Sequence, residues 1–331
     1  MLSPVALAHS AFGVDDRDGQ AAWRRAIARR LPARPWRTRF APAPTGYLHL
    51  GHLVNMLYVW GIARSHGGRV LLRIEDHDRS RCRAEFEAAL LDDLDWLGFE
   101  ADEGSTASFR IRSRAHPCRQ SDNWDRYGDA LRSLEEAGVA YPCACTRRTI
   151  AAQVPHAAGV EPRYPGTCRG RRADPQRVLA RRVQMTDGTV SIDDMRLGIL
   201  TQDPQQQCGD VLVRDSKGHW TYQFAVTVDD LVHGVDVIIR GEDLAASTAR
   251  QFRLAGLLGR AKLPTVLHHP LLVHPGGVKL SKSNRDTALR DRRNAGETPE
   301  QVIGLAAHLA GLVRVPQLLS AAEVATLFLA P

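Results

Sequence analysis

The stretch RFAPAPTGYLHLGHLVNMLYVWGIARSHGG, residues 39–68, decides how this chain folds. It opens within a short segment, RTRFAP, that reads as a strand, and PAPTGYLHLG follows as a turn-rich loop. Apolar residues then recur at helical spacing until the pair Gly67-Gly68 closes the run. Strand, glycine-containing loop and helix N-terminus make a natural phosphate site, because unpaired backbone N–H groups and the helix dipole converge there. His49 and His52 are three residues apart and lie on one side of the helix start, where imidazole N–H groups can face a polyphosphate. Gly51 removes the side chain that would block close approach of a nucleotide. The pattern is neither the dinucleotide G-x-G-x-x-G nor the P-loop G-x-x-x-x-G-K-[ST].

Outward from this stretch the alternation continues. RVLLRIED is a strongly apolar strand and AEFEAALLDDLDWLGF an amphipathic helix, so strand, helix, strand, helix predicts an α/β fold with a parallel sheet and crossover helices. WDRYGDALRSLEEAG is another helix. A loop-rich, proline- and arginine-rich region follows and reads as an insertion. DVLVRDSKGHWTYQFAVTVDDL suggests a strand pair around Ser216-Lys217-Gly218. VDVIIRGEDL is a strand running into a loop, and STARQFRLAGLLG the helix after it.

With 331 residues, 24% of them charged and 44% hydrophobic, the composition is that of a globular protein of about two domains. No run approaches the roughly 18 apolar residues of a membrane helix, so no membrane partner is expected. The net charge of +7 favours a polyanionic partner such as nucleic acid, although much of the excess is scattered arginine. The 6 cysteines do not make a disulfide framework, and a cytoplasmic location is expected. Residues 1–37 lack the cationic start and apolar core of a secretory signal, and Asp15, Asp16 and Asp18 argue against a transit peptide. A loosely ordered extension is expected there, with AAWRRAIARRL able to form a short basic helix.

Cys143, Cys145 and Cys168 crowd one segment as C-x-C followed by Y-x₃-C. Three thiolates suit a tetrahedral, structural zinc. General chemistry nominates His156 as the fourth ligand, because tyrosine rarely binds zinc.

Late in the chain, GGVKLSKSNRD brackets Ser281 with Lys279 and Lys282 behind Gly276 and Gly277. Alone, K-L-S-K-S is an ordinary basic loop. Paired with H-L-G-H far upstream, it resembles the two signatures of class I aminoacyl-tRNA synthetases. RFAPAPTGYLHLGH, LLRIEDHDRSR, YPCACTRR, YQFAVTVDDLVHGVDVIIRGEDL and KLSKSN, in that order, are similar to the glutamyl branch of that class over residues 37–290.

The resemblance implies a Rossmann-like doubly wound parallel sheet with an inserted zinc-binding, acceptor-facing subdomain and a short helical tail. It also implies attack of L-glutamate on the α-phosphate of Mg2+-ATP. Lys282, assisted by Lys279, would stabilise the transition-state phosphates, and His49, Gly51 and His52 would complete the ATP site. Arg39, Phe40, Ala41, Pro42, Ala43, Glu75, Tyr222 and Arg240 sit on the family's glutamate-binding positions: arginines for carboxylates, Glu75 for the ammonium, Tyr222 for orientation. For zinc it points to Tyr164 rather than His156. Asp76, Asp78 and Asp243 are left as structural residues.

The expected organisation is an extension (1–37), a first catalytic half (38–140), the insertion (141–210), a second half carrying the lysine loop (211–290) and a tail (291–331) with two or three short helices. That tail is shorter than the helical anticodon-binding region of a full glutamyl-tRNA synthetase. The chain thus resembles the truncated glutamyl-queuosine tRNA(Asp) synthetases, which attach glutamate to the queuosine base of an anticodon rather than to a 3′ end. Such an enzyme is expected to act as a monomer on tRNA(Asp) carrying queuosine, with Arg147, Arg148, Arg169, Arg171 and Arg172 as candidate RNA contacts. The alternatives are a conventional glutamyl- or glutaminyl-tRNA synthetase, an RNA-independent carboxylate-activating ligase, and a non-catalytic RNA-binding paralogue.

Overall fold

A computed structural model of the chain describes residues 17–154, 161–171, 179–272 and 287–329. Lys279 and Lys282, with Gly276 and Gly277, lie outside the described residues, as do His156 and Arg172. No described helix is long and apolar enough to cross a membrane.

Helix α1 (Arg17–Arg30) precedes the sheet. The expectation of a loose extension does not hold there, because Ile27 is fully buried in the main core and Trp23 packs on Tyr58 and Phe328. Strand β1 (Trp36–Phe40) runs through the predicted loop into α2 (Leu50–His66). Buried residues surround α2 on every side, so packing rather than amphipathicity holds it in place. Gly67 ends it at φ 70°, the left-handed region that favours glycine, and its N–H reaches the Ala63 carbonyl. The chain returns in β2 (Gly68–Leu72), parallel to β1 with Trp36 opposite Gly68 and Phe40 opposite Leu72.

Three helices follow: α3 (Ala84–Leu97), α4 (Thr106–Arg110) and α5 (Trp124–Glu136). Strands β3 (Ala140–Cys143), β4 (Ala180–Val183) and β7 (Val211–Arg214) form an antiparallel sheet, with α6 (Arg147–Gln153) beside it. Between β4 and β7 lie β5 (Val190–Asp194), β6 (Gly198–Gln202) and α7 (Pro204–Cys208). The stretch expected as one insertion is therefore divided. Its antiparallel sheet shares a core with α5, whereas β5 leaves it and pairs in parallel with β9 (Thr265–His269) through Asp194 and Val266.

The strand pair expected around Ser216–Gly218 reduces to one bridge, Arg214 with Trp220, after which α8 (Tyr222–Val232) begins. Its β-branched residues invite a strand reading, but Phe224 to Asp230 are all buried, which a half-exposed strand cannot achieve. Strand β8 (Val237–Gly241), α9 (Thr248–Leu257) and β9 complete the second half, with β8 and β9 parallel. From residue 287 on, α10 (Leu289–Asn294), α11 (Pro299–Leu309) and a 3-10 helix (Glu323–Phe328) pack back on the body, Phe328 against Tyr58.

The two parallel pairs meet where β1 lies beside β8. Asp236 N–H donates to the Arg37 carbonyl at 2.8 Å, and its carboxylate accepts from Arg37 N–H at 3.0 Å. From that seam β1 leads to β2 on one side and β8 to β9 on the other, which makes it a topological switch point. Crevices outside the carboxyl ends of strands at such a point are where open α/β sheets bind ligands.

Candidate active site

A cavity of about 840 Å³ occupies that crevice. Its walls come from carboxyl ends of strands: Arg39 and Phe40 of β1, Glu75 beyond β2, Arg240 and Gly241 of β8, His269 of β9. Each side chain expected to bind glutamate (Arg39, Phe40, Ala41, Pro42, Ala43, Glu75, Tyr222, Arg240) lines it, and so do His49, Gly51 and His52. Arg39 and Arg240, 201 positions apart in sequence, are thus gathered at one sheet edge.

The histidines close the N-terminus of α2 as a capping box. Gly51 N–H donates to His49 Nδ1 at 3.0 Å, and His49 N–H donates to His52 Nδ1 at 3.2 Å. With both Nδ1 atoms accepting, a neutral ring carries its proton on Nε2 as a donor. A Cβ at Gly51 would stand 2.9 Å from His49 Cε1, so glycine is required here by the neighbouring imidazole. The first turn of α2 contains no acidic residue, which leaves its positive end available to an anion.

Two arginines face the cavity in different electrostatic states. Arg39 donates from Nε to Asp230 at 3.1 Å. Asp230 also accepts from the fully buried Arg73 at 2.7 Å, and Arg73 in turn holds Glu75 at 2.8 Å. Asp229 anchors the far side, taking bonds from Arg126 (2.7 Å), Gln120 (2.8 Å) and Tyr127 (2.9 Å). Burial opposes the charge on Asp230, but Arg39 and Arg73 outweigh it and hold its carboxyl at about 2. Arg240, only 4% exposed, has no ion-pair partner among the described residues. Its neighbours are neutral: Gln251 Oε1 at 2.7 Å, Thr248 Oγ1 at 2.8 Å and His268 Nε2 at 3.1 Å. Burial, chiefly, lowers its basicity, and a buried cation at a cavity wall is stabilised by an anionic ligand. Tyr222, half-buried, has its hydroxyl pushed up by desolvation and by the nearby Glu75.

Sequence reading missed Arg73, Asp229, Asp230 and Gln120. The signals were a lone arginine inside the apolar strand VLLRIED and paired aspartates inside the apolar AVTVDDLV. Asp76 is buried and accepts from Ser121 N–H and Oγ (2.8 and 2.6 Å), a structural contact, whereas Asp243 lies on the cavity wall.

The three cysteine sulfurs lie within 4.8 Å of one another. Cys145 and Cys168 are 3.6 Å apart, and Cys143 Sγ is 3.4 Å from Tyr164 Oη. Tetrahedral zinc with bonds of about 2.3 Å sets its ligand atoms roughly 3.7 Å apart, so the donor set fits that ion. Tyr164 is buried, and its hydroxyl accepts from Cys168 N–H at 2.9 Å while its ring lies under Arg182. Of the arginines expected to touch RNA, Arg169 is committed elsewhere, to the buried Asp210. Arg147, Arg148 and Arg171 are exposed.

A crevice at a switch point, flanked by a histidine-capped helix start, is the arrangement of a class I synthetase catalytic domain. Residues 35–323 match the family tRNA synthetases class I (E and Q), catalytic domain, and the chain belongs to it. It is an ATP-dependent, ligase-type enzyme of the aminoacyl-tRNA synthetase kind. It is 43% identical over 263 residues to the glutamyl-Q tRNA(Asp) synthetase of Cupriavidus metallidurans, covering 77% of this chain and 79% of that one. With the glutamate–tRNA ligase of Bordetella parapertussis it shares 37% over 285 residues, 83% of this chain and 56% of the relative. The crystal structure of a glutamate tRNA ligase from Elizabethkingia meningosepticum in complex with its amino acid superposes with a TM-score of 0.71 at 26% identity, covering 88% of this chain and 64% of that one.

Proposed function

We propose that the protein activates L-glutamate with ATP and transfers it to the queuosine base in the anticodon of tRNA(Asp). The observation that carries the glutamate reading is Arg240, a buried guanidinium on the cavity wall with only neutral partners among the described residues. A substrate carboxylate supplies the missing charge in the forked geometry that guanidinium favours. Glu75 receives the ammonium, the Tyr222 hydroxyl orients the substrate, and the backbone of Phe40–Ala43 borders it.

On the other wall, the Nε2–H groups of His49 and His52 and the start of α2 hold phosphate oxygens of ATP, taken as its magnesium complex. A glutamate carboxylate oxygen attacks the α-phosphorus, the bond to the β-phosphate oxygen breaks, and pyrophosphate leaves with that electron pair. Lys282 and Lys279 neutralise the developing charge. A queuosine hydroxyl then attacks the adenylate carbonyl, loses its proton, and AMP departs. Removing one preorganised charge contact of this kind costs on the order of 10²–10³ in rate, which is the loss expected for Lys282→Ala.

Cys143, Cys145, Cys168 and Tyr164 hold a structural Zn2+ that ties β3 to the loop before β4. The exposed Arg147, Arg148 and Arg171 offer positive charge to RNA.

The higher identity to the glutamyl-Q relative, and the larger share of it that is matched, favour the queuosine acceptor over a tRNA 3′ end. The test is glutamate-dependent ATP–pyrophosphate exchange, followed by transfer of labelled glutamate to tRNA(Asp) with and without queuosine and to tRNA(Glu). Label on queuosine-bearing tRNA(Asp) alone is expected. Label on the 3′ end of tRNA(Glu) overturns the acceptor, and absence of glutamate-dependent exchange overturns the activation step.

A further inference from the structure

We infer that Asp194 and His268 form a positioning pair that aims the Arg240 guanidinium at the substrate carboxylate; this rests on the role given to Arg240 above. Neither side chain lines the cavity, and both are fully buried behind it. Asp194 ends β5, and its carboxylate takes four hydrogen bonds. Oδ2 accepts from His268 Nδ1 at 2.6 Å and from His268 N–H at 3.1 Å. Oδ1 accepts from Arg196 N–H at 2.9 Å and Leu197 N–H at 2.7 Å. The carboxylate therefore fixes both the imidazole and the β5–β6 turn.

That contact also selects the imidazole tautomer. A carboxylate can only accept, so the neutral ring carries its proton on Nδ1 and presents Nε2 as an acceptor. Nε2 receives Arg240 Nε–H at 3.1 Å. Thr248 Oγ1, 3.2 Å from the same nitrogen, accepts from Arg240 Nη2 at 2.8 Å. With Gln251 on Nη1, every guanidinium nitrogen is anchored from the side away from the cavity. A flexible side chain is thereby held in one orientation before the substrate arrives, with the cavity-lining Leu244 carbonyl (3.4 Å from Nη2) and Tyr222 bounding it on the side the ligand approaches. The arrangement is an acceptor–imidazole–arginine chain in which the two distal members act only through the third.

Arg196 extends the same turn onto the site, bonding the His268 carbonyl and the carboxylate of Glu242, the residue after Gly241. The β5–β6 hairpin is thus the element that braces the substrate-binding arginine. It lies within the stretch that separates the two catalytic halves in sequence.

The chain of contacts makes a specific prediction for Asp194→Asn. The amide can donate where the carboxylate only accepts, so the imidazole turns to the other tautomer and places an N–H against Arg240 Nε–H. Exchange kinetics on the full chain are expected to show the KM for glutamate raised about 10- to 100-fold, with kcat and the KM for ATP changed less than about 3-fold. Discrimination of glutamate over glutamine should fall in parallel, because it depends on the aimed charge. His268→Gln keeps an acceptor opposite Arg240 and is expected to retain the glutamate KM within about 3-fold, whereas His268→Asn, too short to reach, should behave like Asp194→Asn. The Gln/Asn contrast decides the matter if Asp194→Asn does not fold. An unchanged glutamate KM in both Asp194→Asn and His268→Asn, or equal losses with both substrates and no rescue by glutamine, overturns the pair. Arg240→Gln is the control: if it leaves the glutamate KM unchanged, the carboxylate role of Arg240 fails, and the positioning pair with it.

Discussion

Arg73 donates to Asp230 at 2.7 Å with no water access on its own side and 6% exposure on the other. The pair sits between the two parallel halves of the sheet and links Arg39, on one cavity wall, to Glu75, on another. The buried charges alternate in sign, so each carboxylate is compensated by a guanidinium at hydrogen-bonding distance. Removing one member leaves the others buried and uncompensated. Arg73→Met is therefore expected to destabilise the fold by about 3–5 kcal/mol, read from the denaturant midpoint.

The same pair sets an acid limit. The carboxyl of Asp230 is held at about 2, below its ordinary value of about 3.9, so its contribution is fully present above the higher value. It is lost as pH falls through the lower one. Stability should drop between roughly pH 4 and pH 2, and Asp230→Asn should flatten that part of the profile while lowering stability at neutral pH. A profile unchanged by the substitution would exclude Asp230 as its source.

Asp93 of α3 behaves in the opposite sense. Both its oxygens are buried without hydrogen bonds, Arg293 stands 3.7 Å away, and burial raises its carboxyl to about 6. A carboxylate with a raised pKa costs stability once ionised, so the cost grows as pH rises from about 4 to 6 and is complete above that. Asp93→Asn is expected to stabilise the protein at pH 7 by on the order of 1–2 kcal/mol and to make little difference at pH 4. Thermal midpoints at the two pH values measure this.

Gly51→Ala should separate stability from activity. Alanine is the better helix former by about 0.5–1 kcal/mol, which offsets much of the roughly 1 kcal/mol lost with a displaced cap, so the thermal midpoint is expected to change little. The new Cβ would meet His49 Cε1 at 2.9 Å and turn the imidazole from its capping position. The KM for ATP should increase about 10-fold with the glutamate KM little changed, in the exchange assay.

Metal analysis of the purified chain is expected to give one zinc per molecule, bound by Cys143, Cys145, Cys168 and Tyr164. Chelation or Cys145→Ser should remove it and lower the thermal midpoint, since a structural zinc contributes folding free energy directly. Tyr164→Phe isolates the fourth ligand: zinc affinity should fall while the cysteines remain in place. Full retention of affinity would reassign that position.

Much of the site could be read from one dimension because its signals are local. Strand, loop and helix start are contiguous over residues 39–68, and the cysteines of C-x-C and Y-x₃-C come together from two short segments. The missed residues are those whose meaning is a distant contact. Arg73 and Asp230 are 157 positions apart, and nothing near either says that they pair. The helix α8 was misread for a related reason: its β-branched residues favour a strand locally, and burial on every side overrides that preference. The N-terminal helix α1 showed only a weak pattern, because what holds it is the partnership of Trp23 and Ile27 with α2 and the 3-10 helix near the C-terminus.

Order along the chain, then, determined the α/β alternation and the histidine-glycine-histidine helix start, and its shared motifs pointed to several of the side chains that face the cavity. Tertiary structure alone decided their electrostatic state. Arg39 and Arg240 are the same residue type at the ends of neighbouring strands, yet one is neutralised by Asp230 and the other stands among neutral groups. Charge at a buried site depends on what lies within a few ångströms, and that proximity is created only when the two halves of the sheet close on each other.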